Sequence, residues 1–174
     1  MSESDQGAIS LGYRLGHIKA DGRIFRALVY NKSAAVLHML RRLIGDDAFF
    51  DGLRRFYADS RFRKVGTDEF QQAVERAAGR PLDRFFDQWI HGSTLPRLKV
   101  SYRVDGDELV VHVEQLGETF DVPVTLTLQY ADKKKTDVVI AVTEQVMDQR
   151  VALAGPLQAV EINKDDGTLA EFVK

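Results

Sequence analysis

The sequence has no cysteine, which excludes disulfides, zinc–thiolate sites and a cysteine nucleophile. It also lacks any apolar run approaching the roughly 20 residues that a membrane span requires. Its first residues, "MSESDQGAIS", have neither a basic n-region nor an apolar h-region, so they do not read as a signal peptide. A strong charge of one sign is missing too. The net charge is -2, so no global basic field calls for nucleic acid as a partner. The four histidines, His17, His38, His91 and His112, form no H-E-x-x-H pair, and a self-contained metal site is not expected. There is no G-x-S-x-G, Ser33 has no nearby base, and the glycines of "GYRLGHIKADG" fit neither a phosphate loop nor a dinucleotide fingerprint.

What remains is a chain of 174 residues, 44% hydrophobic and 29% charged, the balance of a globular protein. Charge divides it unevenly: residues 1–96 carry a net +3 and residues 97–174 a net -5. The apolar pattern divides it at the same place. From about residue 27 to residue 96 the period is helical. Ala34, Leu37, Leu40 and Ile44 recur at spacings of three and four, and Val36 and Leu43 widen that stripe. Gly45 suits a helix end and Asp46 the cap of a second helix, with Phe49, Phe50, Leu53, Phe56 and Tyr57 on one broad face. Thr67 can cap a third helix with Asp68 and Glu69 in its first turn, and Gly79 can end it. Pro81 suits the first turn of a fourth, "PLDRFFDQWIHG". Beyond "STLP" the period falls to two. Leu98, Val100, Tyr102 and Val104 alternate with polar residues, as do Leu109, Val111 and Val113, around the turn signal Asp105-Gly106. About six or seven short strands follow one another to the end. Pro123 cannot donate to a ladder, so its nitrogen should face an edge or a bulge. The fold class expected is α+β: about four helices in residues 1–96, then a small antiparallel β-sandwich in residues 97–174.

Polar residues in the helical part have bland explanations. The cluster Arg41, Arg42, Arg54, Arg55, Arg61, Arg63 and Lys64 is interspersed with Asp46, Asp47, Asp51 and Asp59, as on a solvated face. His38 reads as a packed or half-exposed helix residue, His91 as a cation beside a helix end, and His112 as a solvent-facing strand residue. Tyr30, read alone, fits a boundary tyrosine with its ring buried and its hydroxyl wet. Lys32 fits a helix-start lysine bonding carbonyls.

The order of these pieces has a precedent. "VYNKSAAVLHMLRRLIGDDAFF" resembles the Tyr-x-Lys-Gly motif, apolar helix and "lG-acid…F" run of the aminopeptidase N and leukotriene hydrolase group of zinc metallopeptidases, the gluzincin aminopeptidases. "TDEFQQAVERAAGRPLDRFFDQWIHGSTLPRLKVSY" and "VEQLGETFDVPVTL" resemble the family's following helices and the opening of its β-sandwich. The likeness runs over roughly residues 10 to 165.

The resemblance implies that Tyr30 is the family's catalytic tyrosine, and that residues 1–96 are the end of a gluzincin catalytic domain. A phenol, with an ordinary pKa of about 10, keeps its proton at neutral pH and can donate to an oxyanion. Ser33 stands where the family has glycine. The family's zinc is held by H-E-x-x-H and a later glutamate, none of which occurs here. The implied protein is therefore a zinc-dependent aminopeptidase that removes N-terminal residues from peptides. This chain would be a C-terminal part of it, inactive alone and partnered by the remainder of the catalytic domain and by peptide substrate. An apolar helical face around residues 27–58 would then be open to self-association. The alternative is a scaffold or peptide-binding module that kept the fold without the metal.

Overall fold

A computed structural model describes residues 7–11 and 25–173. The chain divides into two compact units, Met1–Thr94 and Leu95–Lys174.

The first unit is helical. A single 3-10 turn, Ile9–Leu11, precedes a wide π-helical segment, Arg26–Lys32, which runs directly into α1, Ser33–Ile44. Gly45, at φ 85, turns the chain into α2, Asp46–Asp59. Asp46 is the first residue of that helix rather than its cap. Its carboxylate accepts two bonds from Arg41, at 2.8 and 2.7 Å, and the guanidinium holds it below the usual carboxylate range. Next is α3, Thr67–Ala78. Its cap is Gly66, one residue earlier than expected, whose N–H donates to Glu69 at 2.7 Å, and Gly79 closes it in the left-handed conformation. Last is α4, Asp83–Phe86, which widens into a second π-helical turn, Asp87–His91, and stops at Gly92. Aromatic edges hold these helices together: Phe56 on Phe70, Phe70 on Phe86, Phe86 on Phe85 and Phe85 on Trp89, with centroids 5.4 to 6.3 Å apart.

The buried stripe of α1 differs from the expected one. Val36, Met39, Leu40 and Leu43 are in the core, while Ala34 and Leu37 are exposed. The reason lies just upstream. Lys32 is buried, and with Val36, Met39 and Leu43 it defines a face at spacings of four, three and four. His38 is exposed on the same helix.

The second unit has seven strands: β1 Arg97–Asp105, β2 Glu108–Gln115, β3 Val122–Tyr130, β4 Lys135–Val142, β5 Val146–Ala152, β6 Leu157–Ile162 and β7 Glu171–Val173. They form two sheets, ordered β5-β2-β1-β7 and β4-β3-β6. Every pairing is antiparallel except β1 with β7, which is parallel over Arg97–Lys99. Leu109, Val111 and Val113 of β2 and Val122, Val124, Leu126 and Leu128 of β3 are all fully buried and form the core of the sandwich. Pro123 sits in the middle strand of its sheet, but β6 pairs with β3 only over Leu126–Tyr130. The Pro123 carbonyl accepts from the Thr168 hydroxyl on that open flank. The missing N–H therefore faces the side where no strand lies, as the sequence requires. The alternation in β1 is real, yet only Leu98 is fully buried. Tyr102 and Val104 are exposed, and β7 pairs only with the first residues of that edge.

Candidate functional site

Tyr30 lies in the wide turn at the head of α1. Its ring is not buried: 64% of the residue is exposed, and it meets the edge of Phe25 with centroids 6.0 Å apart. Ala34 and Leu37, one and two turns further on, are exposed as well. The phenol thus stands out from the helical core.

The backbone at Tyr30 is unusual. A π-turn of seven residues is rare, and π-turns are frequent at functional sites. The residue in the family's glycine position contributes to it. Ser33 Oγ donates to the Leu28 carbonyl, five residues back, at 3.3 Å. A glycine could not make this bond. The other neighbour, Lys32, points the opposite way, into the protein. It is 3% exposed, and its ammonium donates to the carbonyls of Gly7 at 2.7 Å and Gly92 at 3.2 Å. Burial pushes its pKa below the ordinary lysine range. The expectation of a lysine bonding carbonyls holds.

The helical unit also has a second feature, a groove of about 510 Å³. Val36, Leu37 and Leu40 of α1, Phe70 of α3 and Phe85 and Ile90 beyond it make its wall apolar.

The histidines fall apart. His17, with the rest of "GYRLGHIKADG", lies outside the described residues. His91 is exposed in the last turn before Gly92. His112 is in register with Ser101 on β1 and Asp148 on β5, giving a Ser-His-Asp row across three strands. Spacing along the chain could not have announced this row, since cross-strand pairing creates it. The His112–Asp148 contact is 2.9 Å, but the two side chains are 45% and 67% exposed. A nucleophile's base needs a shielded, pre-organised partner, and this pair is an ordinary surface contact.

A model of the Peptidase family M1 domain matches residues 5–89, the stretch that carries the wide turn, the helices and the groove. Over this stretch the chain is similar to peptidase family M1. Aminopeptidase N of Lactococcus lactis subsp. lactis is 29% identical over 122 residues, covering 68% of this chain and 14% of the relative. Aminopeptidase A of Gloydius brevicauda is 34% identical over 77 residues, covering 44% of this chain and 8% of the relative. A crystal structure of Legionella pneumophila aminopeptidase A in complex with aspartic acid superposes with a TM-score of 0.71 at 18% identity, over 86% of this chain and 19% of that one. That likeness reports the fold, and it extends into the β unit. The chain thus spans less than a fifth of the length of these relatives.

A family M1 domain implies zinc, and the residues described here do not suit it. Among them no group of three or more His, Cys, Asp or Glu side chains could hold a metal ion.

Proposed function

We propose that this chain acts as part of a zinc-dependent aminopeptidase, in which it supplies Tyr30 as a transition-state hydrogen-bond donor. The observation that supports this most directly is a free phenol on a tied, wide helical turn at the start of α1. When a peptide carbonyl is attacked, negative charge builds on its oxygen. A donor aimed at the place where that charge develops lowers the barrier, provided it need not reorganise during the reaction. A phenol gives one proton to such a contact and stays neutral while doing so. The zinc, its ligands and the general base would come from the rest of an M1 domain, and so would the site that reads the free amino group.

The test is Tyr30→Phe in the complete zinc-loaded enzyme. We expect kcat to fall by on the order of 10²–10³, with KM within a few-fold and zinc content unchanged. The 174-residue chain alone, with zinc added, should release no N-terminal residue from a peptide. A Tyr30→Phe enzyme working at nearly the parent rate removes Tyr30 from the mechanism.

One observation favours a second reading. The groove lined by Leu37, Phe70 and Ile90 is wide and apolar, as a module that binds a peptide or protein segment without cleaving it would need. If the complete protein binds peptides but Tyr30→Phe and metal chelation leave that binding unchanged and no turnover is found, this reading replaces the first.

A further inference from the structure

Lys32 is buried, and the acceptors its side-chain nitrogen reaches are backbone carbonyls from two distant parts of the helical unit. Burying an ammonium group is costly unless its protons are all used well, so the sequence retains it here against a cost. The Gly92 carbonyl ends the helix that starts at Asp83, and the last carbonyls of a helix have no donor of their own. They also form its negative pole, which favours a cation. A side chain at position 92 would sit 2.3 Å from the Gln88 carbonyl oxygen, so glycine is what allows the chain to leave the helix at this point.

The placement is informative. Lys32 and Tyr30 belong to the same π-turn, two residues apart, and side chains at that spacing face away from each other. Tyr30 is exposed, and among the described residues Phe25 is the ring set against it, so its direction depends on the backbone of the turn. Wide turns of this kind are rare interruptions of the α-helical pattern. A tie from outside holds such a turn in place.

We propose that Lys32 is a positioning residue for Tyr30: it clamps the wide turn to Gly7 and Gly92 from inside, and so fixes the direction in which the phenol is presented. This rests on the reading of Tyr30 given above. Lys32 itself touches no substrate.

Two experiments test the proposal. The first is a double-mutant cycle in the complete enzyme with Lys32→Met, which keeps the apolar stem and removes the ammonium. We expect kcat to fall by on the order of 10- to 100-fold with KM little changed, as a misplacement of about 1 Å can cause. In the Tyr30→Phe background the same change should have almost no further effect, because there is no phenol left to aim. A Lys32→Met enzyme of normal kcat, or losses that add with those of Tyr30→Phe, overturns the proposal while leaving the Tyr30 reading intact. A near-normal Tyr30→Phe enzyme does the reverse, since it overturns the reading before Lys32 is involved. The second experiment needs no activity. The 174-residue chain has no cysteine, so Lys32→Cys is its sole thiol. It can be alkylated unfolded to a lysine mimic with bromoethylamine, or to an apolar control with bromopropane, and then refolded. Amide exchange over residues 26–32 should be slow in the mimic and faster in the control, with both melting cooperatively. Equal exchange in the two adducts rejects the clamp, and failure of the control alone to refold supports it.

Discussion

Lys32 makes stability depend on pH in a direction opposite to that of a salt-bridged lysine. Burial lowers its folded-state pKa below the ordinary 10.5. Below the folded value both states hold the proton, and the full cost of burying the charge is present. Between the folded value and 10.5 the native state has released its proton while the unfolded chain keeps it. The unfolded state then binds more protons, and the free energy of unfolding rises with pH. The helical unit should therefore gain stability as the pH climbs into this alkaline window, and Lys32→Met should lack that component. Urea midpoints across a pH series of the two proteins measure the difference. Parallel pH profiles would show that Lys32 carries no buried charge. That Lys32 bonds carbonyls was legible in the sequence from its place at a helix start. Which carbonyls it bonds was not, because Gly7 and Gly92 approach it only once the helices have packed. The same holds for Gln115. Its side chain donates to the Phe120 and Glu144 carbonyls and accepts from Phe120 N–H, a loop-closing role that no local pattern announces.

At the scale of elements, periodicity located the helices and strands well and failed where one side chain overrode it. The stripe of α1 turned because Lys32 points inward, and no hydrophobic count includes a lysine in a core. The exposed end of β1 marks another limit: its alternation is correct, but alternation does not say whether anything packs on the face it defines, and Tyr102 and Val104 are exposed. One glycine that the pattern passed over is decisive. Gly52 of α2 is buried against α3, and a Cβ there would lie 2.8 Å from Val74 Cγ1 and 2.9 Å from its Cα. Because one of those atoms is backbone, the contact cannot be relieved by a rotamer change. Two effects oppose each other in Gly52→Ala. Helix propensity favours alanine by about 1 kcal/mol, while overpacking costs roughly 1–3 kcal/mol. We expect overpacking to prevail, lowering the thermal midpoint, and Val74→Ala in the same chain to restore part of the loss. A Gly52→Ala chain more stable than the parent would mean that α2 and α3 lie further apart than this.

At the scale of the whole molecule, the two units differ in how completely each covers its own apolar surface. In the β unit the inward residues of β2 and β3 are fully buried, while Tyr102 and Val104 are exposed on the open part of β1, Val139 on β4 and Val146 on β5. The described residues of the helical unit leave an apolar groove of about 510 Å³ open, with Leu37 exposed on its lining, and Phe50, Tyr57 and Phe62 are exposed elsewhere in the same unit. An apolar groove of this kind is a place where a side chain or segment from elsewhere can dock. The contrast gives a prediction for the separated units. Residues 95–174 expressed alone should be monomeric, melt cooperatively and bind little hydrophobic dye. Residues 1–94 alone, and the intact 174-residue chain, should bind the dye and self-associate with rising concentration. Leu37→Glu, at the mouth of the groove, should reduce both effects without lowering helix content. Sedimentation and dye titration of the three polypeptides decide the matter. A helical unit that stays monomeric and dark would mean that the groove closes on itself in solution, and the case for a missing partner on that face would fall with it.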